Sequence, residues 1–500
     1  MRQYVRRVPT KSGAIAVQVV RNRGRDTEVI AHVGSARNPD DLVLLQARAD
    51  VICHEHQPGL FDAPGPAATP VMPGQARVRR TFSGLLWREL VGWWDRLGFD
   101  SIDDEVFRQV VLARIVEPVS KLDTVRVIDG LGLDAPSESA IYRCLRRCQD
   151  KDYRGRLAAA CWAHVSAGGP VGLLLYDVTT LYFETGQEDA LRRPGFSKER
   201  RLEPQILVGL LVDAAGFPLA IHAFEGNKAQ TLTILPVVKA FVKDHDLGRV
   251  TVVADAGMLT SANLAGVEDA GLDFIVGSKT AKFPYYLDVF AEQHPDVDTT
   301  QDGWTCWWPL PAPPGRERRL IVQYRAARAR ADSINIDKQI AKATQVVAGD
   351  RPLTRGRFIT VTGAKRCLNQ PVIARAKRLA GYKGYVTNLP LTGHDATDPA
   401  TLIDSYHQLF QVERSFRMSK TDLRARPIFH HLKDSIEAHL TIVFAALAIS
   451  RAIQDTTGVS IRAWLHALQP LRDATITING HTITIPTDIP QTTRPLLRTD

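Results

Sequence analysis

The chain has no Cys-x-x-Cys pair, no long hydrophobic run, no internal repeat and no low-complexity tract. Its six cysteines, Cys53, Cys144, Cys148, Cys161, Cys306 and Cys367, are scattered. Cys144 and Cys148 could share a helix face, but no His or Cys cluster lies beside them. That disfavours a zinc site, and packed thiols are expected instead. The basic stretch MRQYVRRVPTKSG is followed by no apolar segment, so no secretory signal is expected. The apolar run LTIVFAALAI, Leu440 to Ile449, is too short to span a bilayer and reads as a buried helix. These absences lead to the expectation of a soluble cytoplasmic protein with no membrane partner. Neither sign of charge is scarce: 63 Lys and Arg stand against 54 Asp and Glu, a net +9. So mild an excess fits a nucleic-acid partner or a solvated basic face and decides between neither.

What is present is an ordinary globular balance, 44% hydrophobic and 23% charged over 500 residues, enough for roughly two to four domains. Residues 1–55 alternate in short stretches such as AIAVQVV and EVIAHVG and read as a small β-rich region. Residues 56–80 are rich in Pro, Gly and Ala and read as a linker. Residues 81–168 carry apolar residues at three- and four-residue spacing, a helical domain with Ser101 and Ser137 as helix starts. Its segment PSESAIYRCLRRC, with Tyr142, Arg143, Arg146 and Arg147, is either a recognition helix lying on DNA or an ordinary exposed basic helix.

From residue 169 the chain becomes strand-rich, in VGLLLYDVT, QILVGLLVD and FPLAIHAFEG, with a turn at Gly216 and Pro218. Helices and strands then alternate to residue 279, which predicts an α/β unit built on a mixed sheet. Residues 280–400 read as a β-rich insertion with one helix at about 332–347, and residues 401–450 as a return to the core. In the tail, 451–500, the segment TITINGHTITI predicts a hairpin with a type I′ turn at Asn479-Gly480.

Three carboxylates stand out by context. Asp177 follows the apolar run GLLLY, and Asp255 follows RVTVVA. An acid at the end of a buried strand sits at the sheet's rim, where open α/β sheets bind ligands. Two such acids on neighbouring strands repel unless a divalent cation neutralises them, and hard oxygen ligands suit Mg²⁺ or Mn²⁺. Either acid alone could equally be a turn former. The third, Glu413, lies in the helical pattern LIDSYHQLFQVERSFRMSKTDLR. Tyr406, Glu413 and Lys420 recur there every seven residues, so on one helix they share a face with a drift of about 20° per step. Leu402, Leu409, Val412 and Phe416 form an adjacent apolar stripe, and Arg414, Arg417, Arg424 and Arg426 surround it with positive charge.

At these residues the sequence resembles an insertion-sequence DDE transposase of the superfamily marked by a YREK signature, the IS-four-like group. That signature is Tyr, two residues, Arg, three residues, Glu, six residues, Lys. Tyr406, Glu413 and Lys420 fall in its register, with Leu409 at the Arg position. The likeness includes YDVTTLYFE, VVADAGML and FEGNKAQTLTILP, where Gly226, Asn227 and Thr233 match and Gln230 stands where an acid is usual. It covers about Leu173 to Ile449.

The resemblance implies an RNase H-like core and strand cleavage and transfer with Mg²⁺ or Mn²⁺, two ions, held by Asp177, Asp255 and Glu413. It implies DNA as partner, both terminal inverted repeats and target, with a homodimer in the synaptic complex and a nucleoid-associated location. Tyr406 and Lys420 would contact DNA phosphate. Leu409 removes one charge-assisted contact, for which Arg414 or Arg417 would substitute. The basic segment RRPGFSKERR, 192–201, would clamp backbone. Trp304, Trp307 and Trp308 would either stack on a flipped base or pack in a core. Thr179 and Thr180 would either contact DNA or a flanking strand, or stand there for strand propensity alone. Two rivals remain open at this level: a non-mobile DNA-binding or regulatory protein of this fold, and a metal-dependent nuclease.

Overall fold

The computed structural model describes residues 3–10, 13–23, 26–54, 77–183, 188–195, 203–258, 260–278, 284–352, 356–362, 365–426, 428, 432–478 and 481–498. The chain divides into two compact units, residues 1–144 with 452–500, and residues 145–451.

The first unit opens with an antiparallel meander, β1 (Gln3–Pro9), β2 (Ile15–Arg23) and β3 (Asp26–Ala36). Helix α1 (Pro39–His54) covers it, closing a small core around Val17, Val19, Ala49 and Cys53. After β4 (Arg77–Phe82) come α2 (Gly84–Arg96), α3 (Glu105–Val116), α4 (Lys121–Gly130) and α5 (Glu138–Asp150). Trp94 of α2 is buried edge-on against Phe99 and Phe107, with centroids 5.4 and 5.9 Å away. Of the two expected helix starts, Ser137 accepts from the Ala140 amide at the head of α5. Ser101 does not start α3. Asp103 turns the backbone left-handed at φ 49°, and Asp104 becomes the cap, accepting from the Phe107 amide.

The second unit begins within α5 and continues with α6 (Tyr153–Ser166), β5 (Leu173–Tyr182), β6 (Gln205–Val212), β7 (Pro218–Glu225), α7 (Ile234–Asp244), β8 (Thr251–Ala254), α8 (Ser261–Asp269) and β9 (Asp273–Ser278). These five strands lie in the order β7-β6-β5-β8-β9. β6 runs antiparallel to both neighbours, while β5, β8 and β9 are parallel. This order, with only the second strand reversed, is the RNase H-like arrangement. β6 is buried along its whole length, as a strand flanked on both faces must be.

The stretch after β9 holds α9 (Pro284–Gln293), β10 (Thr305–Leu310), β11 (Arg318–Tyr324), α10 (Ala326–Ala348), β12 (Ile359–Thr362), β13 (Lys365–Leu368), α11 (Gln370–Arg378) and β14 (Tyr382–Thr387). Its strands β14, β11 and β10 extend the core sheet antiparallel from β9, making eight strands. Between β11 and β14, α10, the β12-β13 hairpin and α11 close their own small core of Ile336, Ala343, Phe358, Ile373 and Ala376. The one helix expected in this stretch, at about 332–347, starts earlier, at Ala326, and it is joined by two that were not expected, α9 and α11. The Ala- and Arg-rich run that precedes residue 332 is made of strong helix formers.

Helices α12 (Pro399–His407), α13 (Leu409–Thr421) and α14 (Lys433–Thr457) complete the path. α14 is long and apolar enough to cross a membrane, at a mean hydropathy of 1.6, yet 94% of its apolar window is buried. Arg154 of α6 holds Glu437 of α14 at 2.6 Å. The chain then returns to the first unit with α15 (Ile461–Leu468), β15 (Asp473–Ile478) and β16 (His481–Ile485). β15 and β16 form the expected antiparallel pair, with Ile476 opposite Ile483 and both buried. Their turn, Asn479-Gly480, lies outside the described residues. β15 also pairs with β4. All six cysteines are unbridged, four of them buried.

Candidate active site

Asp177 and Asp255 come from neighbouring parallel strands. β5 and β8 pair Leu175 with Val253, and each acid lies two residues beyond that last pair. The equal count brings the two acids to one level of the sheet. On its other side β5 continues along β6, with Asp177 opposite Leu210 and the ladder reaching Tyr182 and Gln205. The acid read from sequence as a strand end is therefore mid-strand toward β6 and past the end toward β8. The cause is β8, which stops as the Met258 amide donates to the Asp255 carbonyl at 3.0 Å and closes a turn. A notch opens in the sheet where the ladder ends.

Glu413 projects from α13, exposed, above β5. A cleft of about 340 Å³ is lined by Asp177, Thr179, Gln230, Glu413, Arg417, Lys420 and Arg426. Thr179 lies two residues from Asp177 and so on the same face of β5. Its Oγ1 accepts from Lys420 Nζ, which gives this threonine a partner beyond strand propensity. The Lys420 ammonium also stands 5.9 Å from the Phe416 ring centre.

Asp255 is exposed and does not line that cleft. Its Oδ1 accepts from the Ala256 amide at 2.7 Å and from the Tyr406 hydroxyl at 3.2 Å. Tyr406 is only 5% exposed, and burial, followed by the Asp255 charge, pushes its pKa well up. The hydroxyl therefore stays protonated and donates. Gly277 of β9 makes room for it: a Cβ there would stand 2.7 Å from the Tyr406 oxygen. Above the Tyr406 ring, 4.3 Å from its centre, lies the Lys383 ammonium of β14. Burial and Arg328 lower the Lys383 pKa, while Asp255 and Glu413 oppose them. The second and third acids thus act on one ammonium.

The heptad Tyr406, Glu413, Lys420 does not lie on one straight helix. The chain bends at Gln408, whose carbonyl accepts from the Gln411 amide at 2.8 Å, a three-residue turn inserted into the helical ladder. Tyr406 faces Asp255 from α12, and Glu413 and Lys420 face the cleft from α13.

Chemically the site offers hard carboxylate oxygens beside several cations. That donor set suits divalent cations such as Mg²⁺ or Mn²⁺. Among the described residues no group of three or more His, Cys, Asp or Glu forms a ready cage.

Residues 170–449 match the family model described as the transposase DDE domain, more than half of the chain. The chain belongs to this family. The transposase is an enzyme of the DNA cleavage and strand transfer class, and its relatives act on DNA. DDE transposases generally use divalent metal ions. None of the curated proteins matches its sequence. Among solved structures it is similar to a piggyBac transposase in a synaptic complex with hairpin DNA, at 10% identity and a TM-score of 0.37, over 73% of this chain and 69% of that one.

Of the remaining residues singled out in the transposase sequence, Arg417 lines the cleft and Arg414, exposed on the same helix, does not. Leu409 is half-buried at the start of α13. Trp304 and Trp308 pack against Phe290, with centroids 5.3 and 6.0 Å away, on the side of β10 facing the main core. Trp307 alternates to the other face, opposite Ile321 in register. Most of the basic segment 192–201 lies outside the described residues; Arg192 is buried and paired with Asp189 at 2.8 Å. In α5, Tyr142, Arg143 and Arg146 are exposed while Ile141, Cys144, Leu145 and Cys148 are buried. Sequence reasoning missed Lys383 and Gly277. Neither has a spacing relation to the acids, because both reach the site from strands added beyond β8.

Proposed function

We propose that the chain is an insertion-sequence transposase of the YREK-signature, IS-four-like group, acting in the cytoplasm on the nucleoid. In this reading it binds terminal inverted repeats, cleaves the strand and joins the freed 3′ end to target DNA. The carrying observation is the notch: Asp177 and Asp255 at one level where the β5–β8 ladder ends, with Glu413 across the cleft from Asp177.

Asp177, Asp255 and Glu413 would hold two divalent cations, Mg²⁺ or Mn²⁺. When bound, such ions polarise the scissile phosphate and lower the pKa of an attacking water or hydroxyl. The chain's own residues do the positioning. Tyr406 fixes Asp255 Oδ1 by its hydrogen bond, so we reassign it from a phosphate contact to orienting the second acid. Lys420, held at Thr179, and Arg417 would take the phosphate oxygens. Arg417 is the better candidate than Arg414 for the contact that Leu409 lacks, since only it lines the cleft. A water, and then the freed 3′ hydroxyl, attacks phosphorus in line; the P–O bond on the far side breaks, and the leaving 3′ oxygen takes up a proton. Two copies of the chain would act on paired ends.

The test is cleavage and strand transfer on the element's terminal DNA with Mg²⁺. Asp177→Ala should lose both while still binding DNA. Unimpaired joining by that variant would overturn the assignment. Free ends without joined product from the wild type would favour a nuclease, and binding with no cleavage a regulatory protein.

A further inference from the structure

The segment between β11 and β14 carries the chain's basicity. Residues 325–381 hold thirteen Lys and Arg against three Asp and no Glu, an excess of ten, more than the +9 of the whole chain. The remaining 443 residues are thus close to neutral. Two of the three acids are engaged inside the segment, Asp332 with Arg328 at 3.6 Å and Asp337 with Lys377 at 3.7 Å. Only Ile336, Ala343 and Val346 of the 23-residue α10 are buried, and its cations Arg328, Arg330, Lys338 and Lys342 are all exposed.

Near the far end of α10 lies a cleft of about 520 Å³. Lys342, Arg351 and Arg357 rim it, Val346, Phe358 and Ile359 form its floor, and no acid lines it. The three cations are exposed. At the near end, the Arg325 amide donates to the Gly381 carbonyl at 3.0 Å and Asp332 accepts from the Gly381 amide at 3.1 Å, two residues before Lys383 of the candidate active site. The module therefore leads from that site to the cleft. Fourteen residues separate Arg328 from Lys342, about 21 Å at 1.5 Å per residue. That is about six base-pair steps of 3.4 Å.

We propose that this module is a phosphate clamp for duplex DNA, gripping the backbone over about six base-pair steps leading away from the active site, with Lys342, Arg351 and Arg357 as its anchor at the far end. The partner is a duplex because the cations are strung along a helix, as phosphates are along DNA, and end at a site whose substrate is DNA. As a backbone grip the clamp reads no sequence, since phosphate contacts position a duplex and carry no sequence information. The inference rests on the transposase reading for its polarity toward the scissile position.

Full-length protein is titrated with a random-sequence duplex of about 40 base pairs at roughly 50–200 mM KCl, the range over which counterion release is read. The triple variant Lys342→Ala, Arg351→Ala, Arg357→Ala should lower the slope of log affinity against log salt by about 2–3, nearly one per lost phosphate contact. Its melting temperature should match the wild type, because all three side chains are exposed. Replacing Arg351 and Arg357 by Lys should preserve the slope. An unchanged slope in the folded triple variant overturns the proposal. Asp177→Asn should keep the full salt slope while losing cleavage. Retained cleavage by that variant would instead refute the active-site reading and leave the clamp standing.

Discussion

The Tyr406 phenol is held between the Asp255 carboxylate and Gly277 of β9. Its spacing to Glu413 and Lys420 marked it, yet its hydroxyl is spent on Asp255, and the space it occupies is left by Gly277. A hydrogen bond to a charged acceptor contributes about 1.5 kcal/mol or more, so Tyr406→Phe should slow cleavage roughly tenfold and raise the metal concentration needed for half-maximal rate. Gly277→Ala should act through the same contact by pushing the phenol away. The double variant should then be no slower than the worse single, and full multiplicativity in single-turnover rates would show that the two act separately. Thr179→Val tests the neighbouring contact: it removes one hydrogen-bond acceptor of Lys420, and weaker end binding with the metal requirement unchanged is expected. The acids were legible because a charge after an apolar run is costly to bury. Lys383 was not, because its value comes from lying over a ring that no sequence spacing connects to it.

Among the elements, α13 depends on the turn between β6 and β7. Ser415 Oγ donates to the Gly216 carbonyl at 2.8 Å in a buried setting, and Gly216 has φ +90°, with a Cβ there only 2.9 Å from Gln411 Cβ. Gly216→Ala should cost about 1–2 kcal/mol from left-handed backbone strain alone, visible as a lower denaturation midpoint. Because α13 carries Glu413, activity should fall more than stability explains. The turn itself was readable from Gly216 and Pro218, and the strands around it from their apolar runs. The bend at Gln408 was not, since its residues keep right-handed helical angles and no Pro or Gly announces it. The extent of β5 was hidden for a related reason. A strand's end depends on each neighbour separately, and β6 supports β5 for longer than β8 does.

At the scale of the molecule, the first unit is assembled from both ends of the described chain. β4 is completed by β15, and Asp473, 1% exposed, accepts from Arg88 at 2.8 Å and from the Thr487 amide at 3.0 Å. Gly84 leaves the room for that carboxylate at the head of α2, since a Cβ would stand 2.3 Å from it. Asp473→Ala should destabilise the first unit by about 2 kcal/mol, in the range for hydrogen bonds to a charge and reduced by the exposure of Arg88. Hydrogen exchange should show the loss in β4 and α2 and leave β5 and β6 protected. The split is invisible to local patterns, because Arg88 and Asp473 are 385 residues apart. It also imposes a timetable on synthesis. A ribosome adding about 5–20 residues per second exposes β4 for tens of seconds before its partner strand exists, and the last residue of the second unit precedes that strand in the chain. On stalled nascent chains, protease resistance should therefore appear in 145–451 first, and 77–144 should become resistant only after β15 has left the exit tunnel.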